Sequence, residues 1–156
     1  MRQGLIEERL AALGHVIPEP ANAAANYVPW VRSGSLLYVS GQVSIAPGRS
    51  VFGTVGATLD LATAREAAQL CALNLLAHTR AACDGDLGRV SRVVRLGGFV
   101  QAAADFNDIS AVIDGASDLI ASAFGDAGRH ARAAVGVFRL PRDVAVEVDG
   151  LFELDA

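Results

Sequence analysis

Lysine is absent from this chain. All 13 basic residues among its 156 are arginines, which excludes chemistry built on a lysine Schiff base or a P-loop lysine. Cysteine is scarce. Cys71 and Cys83 fall in one stretch that reads as a helix, too far apart along it for a disulfide, so they read as small core residues in a reducing compartment. No apolar run reaches the roughly 18 residues of a membrane span. The first 14 residues carry Arg2, Glu7, Glu8 and Arg9 and lack an apolar signal-peptide core, so the expected location is the cytoplasm. The motifs GxSxG, HExxH, CxxC and GxGxxG are missing, and His15, His78 and His130 are scattered. No metal and no cofactor are expected. A net charge of −4 argues against a general nucleic-acid binder.

What is present is apolar: 52% hydrophobic and 19% charged residues, enough for one domain with a real core. Residues 5–13 read as a short amphipathic helix stopped by Gly14. Pro18, Pro20 and Pro29 mark an extended lead-in, so residues 1–25 form an N-terminal extension and 26–156 an α/β domain. Residues 36–43 (LLYVSGQV) have strand composition. Over residues 61–83, Leu61, Ala64, Ala68, Cys71, Leu75 and Ala82 recur at helical spacing behind Asp60, a candidate N-cap. Residues 89–101 read as a long strand interrupted by Gly97-Gly98, and 106–124 as a second helix with the stripe Phe106, Ile109, Ile113, Ala116, Ile120 and Ala123. Residues 131–138 and 144–154 read as two strands joined in a hairpin around Leu140-Pro141. The expected fold is an α/β two-layer sandwich, a mixed sheet with two long helices on one face. Two helices cannot cover both faces, which favours burial of the other face in a symmetric oligomer.

Strand parity puts Arg132, Ala134 and Gly136 on one face, and Ala145, Glu147 and Asp149 on one face of the next strand. If the two strands form a hairpin, Ala134 lies opposite Glu147, and Arg132 and Glu147 project from the same face as diagonal neighbours. A cationic fork, a carboxylate and a small-walled gap make a pocket for a small carboxylic acid. The same spacing also fits a surface ion pair worth about 0–1 kcal/mol. Tyr27 fits an anchor for the lead-in, Ser40 a turn or bulge residue before Gly41, and Asp114 a solvated helix position.

Tyr27, Ser40-Gly41-Gln42 after LLYV, and the run from Arg132 through Leu140-Pro141 to Glu147 resemble the YjgF/RidA (L-PSP-like) family of reactive-intermediate deaminases. The spacings from Tyr27 to Ser40 and from Arg132 to Glu147 match without a gap. The N-terminal helix, the segment from Asn26 to Val31 and the run from Gly128 to Arg132 resemble a branch with an N-terminal extension. The resemblance implies a chorismate-mutase-like fold, a homotrimer with clefts between subunits, and hydrolysis of 2-imino or 2-enamino acids to 2-keto acids and ammonia. Carried over by position, Arg132 grips the substrate carboxylate and Glu147 activates water. Tyr27 and Ser40 line the cleft, and the main chain at Ala134 helps place the imine. The implied partners are small 2-imino and 2-keto carboxylic acids. A non-catalytic carboxylate-binding trimer and, more weakly, a ribonuclease are the alternatives. Two departures stand out: Ala134 where many members have Cys, and Asp114 where many have Asn, a carboxylate that repels an anionic substrate if it points into the cleft.

Overall fold

The computed structural model describes residues 4–156. Helix α1 (Leu5–Ala12) precedes strands β1 (Trp30–Ser33) and β2 (Leu36–Val43). Then follow α2 (Leu61–Ala82), β3 (Val90–Gln101), α3 (Ile109–Phe124), β4 (Ala131–Val137) and β5 (Val146–Leu154). The strands form one five-stranded sheet in the order β1-β2-β5-β3-β4, with β4 parallel to β3 and the other pairs antiparallel.

Each element follows from local chemistry. Asp60 caps α2, accepting the Thr63 N–H at 2.8 Å and leaving the apolar stripe of the helix to face the sheet. Gly115 brings α3 close to α2, because a Cβ there would strike the main chain of Arg65. Arg65 closes the same contact through Nη1, which donates to the Ala111 carbonyl at 2.9 Å. In α3, Val112, Ile113, Ala116, Leu119, Ile120 and Ala123 are buried, as the period of 3.6 requires. Ile6, Leu10 and Ile17 of the N-terminal extension join the same core. Arg9 Nη1 donates to the Ala123 carbonyl at 3.0 Å and ties α1 to α3.

The expected elements form with small shifts at their ends. The proline-rich lead-in has no regular structure and bends at residues 24–27, and the chain then enters β1, paired with β2 across a two-residue turn in which Gly34 has φ 62°. The hairpin between the last two strands does not form. β4 returns from α3 and pairs in parallel with β3, while β5 inserts between β2 and β3. The physical reason lies in what each strand must bury. On β5, Val146, Val148, Phe152 and Leu154 are all buried, so it takes a central place with a partner on both sides. β4 is rich in alanine and glycine and sits at the edge.

Parity survives the change of strand order, but its consequence reverses. Arg132 pairs with Leu96, and Ala134 with Gly98 beside Val148, on the face that packs against the helices. Glu147 pairs with Phe99, which pairs with Val135, on the face away from the helices. Arg132 and Glu147 of one chain therefore project from opposite faces, not from the same one.

The face without helices is open and mixes apolar side chains with Glu147, Asp149, Glu153 and Arg95, the last paired with Asp149 at 3.5 Å. Val31, Tyr38 and Val135 are 53%, 50% and 44% exposed there. Among the described residues no helix is long and apolar enough to cross a membrane.

Candidate active site

The six candidate residues fall into two groups. The first surrounds Glu147. Register slips between β2 and β5 from Val39 to Gln42, so Ser40-Gly41 forms a bulge beside Glu147. Gly41 lies directly against the Glu147 carboxyl, and a Cβ there would overlap Oε1 and reach Cδ at 3.0 Å. Ser40 sits in that bulge. Its N–H donates to the Pro29 carbonyl at 2.9 Å, and its Oγ donates to the Val28 carbonyl at 2.7 Å, fixing the segment that carries Tyr27. Tyr27, Pro29, Gly41, Gln42, Arg142 and Glu147 all line one pocket of about 180 Å³. Burial pushes the half-buried Glu147 carboxyl above the usual glutamate range, and Asp149 adds to the shift. Arg132 is not a neighbour of this carboxyl within the chain, contrary to the hairpin expectation, because the sheet separates them.

Pro141 and Arg142 form one wall of this pocket, and Gln101, which does not itself line it, holds their loop. This fully buried amide ends β3 and reaches into the loop before β5. Its Nε2 donates to Asp143 Oδ1 at 2.6 Å and to the Gly53 carbonyl at 3.1 Å, while its Oε1 accepts the Leu140 N–H at 2.8 Å. These bonds hold Arg142 and Asp143 in left-handed conformations, φ 61° and 60°, which non-glycine residues adopt only when their surroundings impose it. Behind the sheet, the Cys71 Sγ donates to the Val146 carbonyl at 3.3 Å, and burial raises that thiol well above its usual value. Both cysteines are buried and unpaired, as expected.

The second group surrounds Arg132 at the outer edge of the sheet. Its Nη1 donates to Asp114 Oδ1 at 2.8 Å and to Ser117 Oγ at 3.2 Å. Its Nη2 donates to Ser110 Oγ at 2.6 Å and more loosely to the Ser110 carbonyl at 3.4 Å. Arg132 is 21% exposed and Asp114 44%. His130 completes the network. Its Nδ1 lies 2.6 Å from the Gly128 carbonyl, which assigns the proton to Nδ1, so Nε2 accepts from Ser117 Oγ at 2.9 Å. Burial, with Arg132 nearby, lowers the His130 pKa and keeps the ring neutral in that role, although the Gly128 contact opposes the shift. Ala134 and Gly136 continue the same face of β4. Gly136 opens onto a cleft of about 580 Å³ lined also by Ala102, Phe106, Ile109 and Phe138.

Within one chain, then, Tyr27, Ser40 and Glu147 come together, and so do Arg132, Asp114 and Ala134, but the two groups are not joined. Asp114 is not a free solvated position; it is the carboxylate on Arg132. Sequence reasoning missed Ser110, Ser117 and His130 around Arg132, and Gln101 and Arg142 around Glu147. One signal was readable: Ser110, Asp114 and Ser117 stand at i, i+4 and i+7, a polar stripe on a mostly apolar helix. Among the described residues no three His, Cys, Asp or Glu side chains are gathered to hold a metal ion.

Residues 7–149 match the family profile described as "YjgF/chorismate mutase-like, putative endoribonuclease". The chain is 47% identical to Protein TCP17 of Trypanosoma cruzi, over 97% of this chain and 96% of that protein. It is 49% identical to Atu1372 of Agrobacterium tumefaciens, a protein of unknown function, with a TM-score of 0.92 over 97% of this chain and 93% of the other. A Shewanella oneidensis structure with the same endoribonuclease description is 35% identical, with a TM-score of 0.91 over 96% of this chain and 99% of the other.

Proposed function

We propose, because this chain belongs to the YjgF/RidA family, that it hydrolyses 2-imino and 2-enamino acids to 2-keto acids and ammonia in clefts between the protomers of a homotrimer. The observation that carries the reading is the division of the site. Arg132 and Glu147 lie on opposite faces of one sheet, Glu147 lines a pocket of about 180 Å³, and the open face that bears it exposes Val31, Tyr38 and Val135. A second protomer laid on that face supplies what one chain lacks.

The reaction needs little equipment. The substrate is a protonated imine with its carboxylate on C2, and that carbon is already electrophilic. Arg132 holds the carboxylate, and Tyr27, Ser40 and the main chain at Ala134 frame the reacting carbon. Glu147 takes a proton from water as the water oxygen bonds to C2, and the C=N π electrons pass to nitrogen. Glu147 returns its proton to the nitrogen of the resulting carbinolamine, the C2–N bond breaks as C2=O forms, and the ammonia takes up the hydroxyl proton and leaves as ammonium. A carboxyl whose pKa is raised by burial is a better base for this step than an ordinary exposed one. The two buried, unpaired cysteines support a reducing compartment, taken to be the cytoplasm.

The test is release of ammonia and keto acid from 2-iminopropionate generated in situ, together with the mass in solution, expected near three times 16.1 kDa. Arg132→Ala as active as the wild type removes Arg132 from the site, and a monomer in solution removes the cleft. One observation favours a second reading, a trimer that binds small carboxylates without turnover: the terminal nitrogens of Arg132 already face Asp114, Ser117 and Ser110. Thermal stabilisation by keto acids without imine hydrolysis selects that reading.

A further inference from the structure

We infer that Asp114 makes the Arg132 site select zwitterionic ligands, carrying both a carboxylate and a cationic nitrogen, over simple anions such as the 2-keto acid product. The inference rests on the proposed carboxylate role of Arg132 and adds a charge rule to it. Asp114 uses Oδ1 on the same nitrogen, Nη1, that donates to Ser117, and 44% of its side chain remains exposed. The next carboxylate on that helix, Asp118, is paired with Arg65 at 3.2 Å. A ligand carboxylate that reaches Arg132 therefore arrives beside the Asp114 carboxylate. For a plain anion the two negative groups share one guanidinium and repel. For a ligand with an iminium or ammonium group next to its carboxylate, Asp114 accepts from the ligand N–H, and both charges are matched.

The chemistry gives this rule a direction. The 2-iminium acid substrate is a zwitterion with no net charge. Hydrolysis replaces its cationic nitrogen by a neutral carbonyl oxygen and leaves a monoanion. Asp114 attracts the first and repels the second, so the site that holds the substrate favours departure of the product.

The experiment is calorimetric titration of the wild-type trimer, Asp114→Asn and Asp114→Ala with alanine and with pyruvate. These ligands share a carboxylate and a three-carbon skeleton and differ in the cationic nitrogen. The ratio of the two affinities is read, because loosening Arg132 raises both affinities alike and cancels. In the wild type alanine binds the tighter. In both variants the ratio shifts toward pyruvate by roughly tenfold. Asp114→Ala separates a lost charge from a gained amide donor, and Arg132→Met abolishes binding of both ligands. An unchanged ratio in both variants, with both ligands still bound, overturns the role of Asp114 and leaves the carboxylate site standing. Failure of both ligands to bind any form overturns both.

Discussion

Replacing Gly41 by alanine separates the fold from the chemistry. The backbone at Gly41 is not in the left-handed region, so alanine is conformationally allowed there. The three atoms nearest its Cβ all belong to the Glu147 side chain: Oε1 overlaps, Cδ lies at 3.0 Å and Cγ at 3.2 Å. The obstacle is the far end of a flexible side chain, and it yields by rotation. An off-rotamer or alternative carboxyl position costs about 0.5–1.5 kcal/mol. At about 2–4 °C per kcal/mol for a chain of this size, the melting temperature falls by roughly 1–6 °C. The catalytic effect is of another order. A displacement of about 1 Å in a group that must abstract a proton costs on the order of 100-fold in rate. Differential scanning calorimetry and imine hydrolysis on the same preparation give the two numbers. Hydrolysis within twofold of wild type, with the trimer intact, refutes the assignment of Glu147 as the base. A fall in melting temperature well beyond this range shows that Gly41 serves packing, and the argument from its contact fails.

Gly115→Ala is the converse case. Alanine gains about 1 kcal/mol of helix propensity, but its Cβ strikes the Arg65 main chain, which has no rotamer to adopt, and overpacking costs about 1–3 kcal/mol. The upper part of that range applies, so the net loss is about 1–2 kcal/mol and the melting temperature drops by about 2–8 °C; an increase refutes the close helix approach. Glu147→Gln tests the raised carboxyl. In the wild type the folded state holds the Glu147 proton to higher pH than the unfolded chain does, so its contribution to stability declines as pH rises from the ordinary glutamate value to the folded one. The glutamine variant escapes that decline and gains thermal stability over wild type at neutral pH but not at acid pH. Parallel stability–pH curves for the two proteins contradict burial as the cause.

Local rules carried far in this sequence, and non-local ones did not. The spacing of Ala64, Ala68, Cys71 and Leu75 identified the buried stripe of α2, and alternation alone placed Ala134 with Arg132 and Val148 with Val146. Periodicity assigns a residue to a face of its own strand. It says nothing of which strand lies next to which, and that depends on burial summed over the whole sheet. Short separation and a proline turn made β4 and β5 look like a hairpin, but the four buried apolar side chains of β5 draw it to the centre. The same limit hid the partners of Arg132. The spacing of Ser110, Asp114 and Ser117 holds a polar stripe, but nothing in it tells which strand the stripe faces. Gln101 gave no signal, because a single amide in a strand reveals its role only when two loops close on it.

The separation of the two groups makes a quantitative demand on the assembly. In the proposed trimer, Arg132→Ala and Glu147→Gln protomers are each expected to be inactive on their own. Suppose the cleft takes Arg132 from one protomer and Glu147 from the next. A mixed trimer, formed by unfolding and refolding equal amounts of the two variants together, then contains clefts of every combination. A cleft works when its Arg132 comes from a Glu147→Gln protomer and its Glu147 from an Arg132→Ala protomer. With random assortment each condition is met half the time, so roughly a quarter of wild-type activity returns. If one chain supplied both groups, every cleft would lack one of them, and mixing would restore nothing. Refolding each variant alone controls for recovery, and the wild type taken through the same cycle sets the scale. Activity near a quarter of that scale requires the two groups to meet across a subunit boundary. No recovery from a mixture that refolds to the trimer mass means that Arg132 and Glu147 do not act in one cleft between protomers.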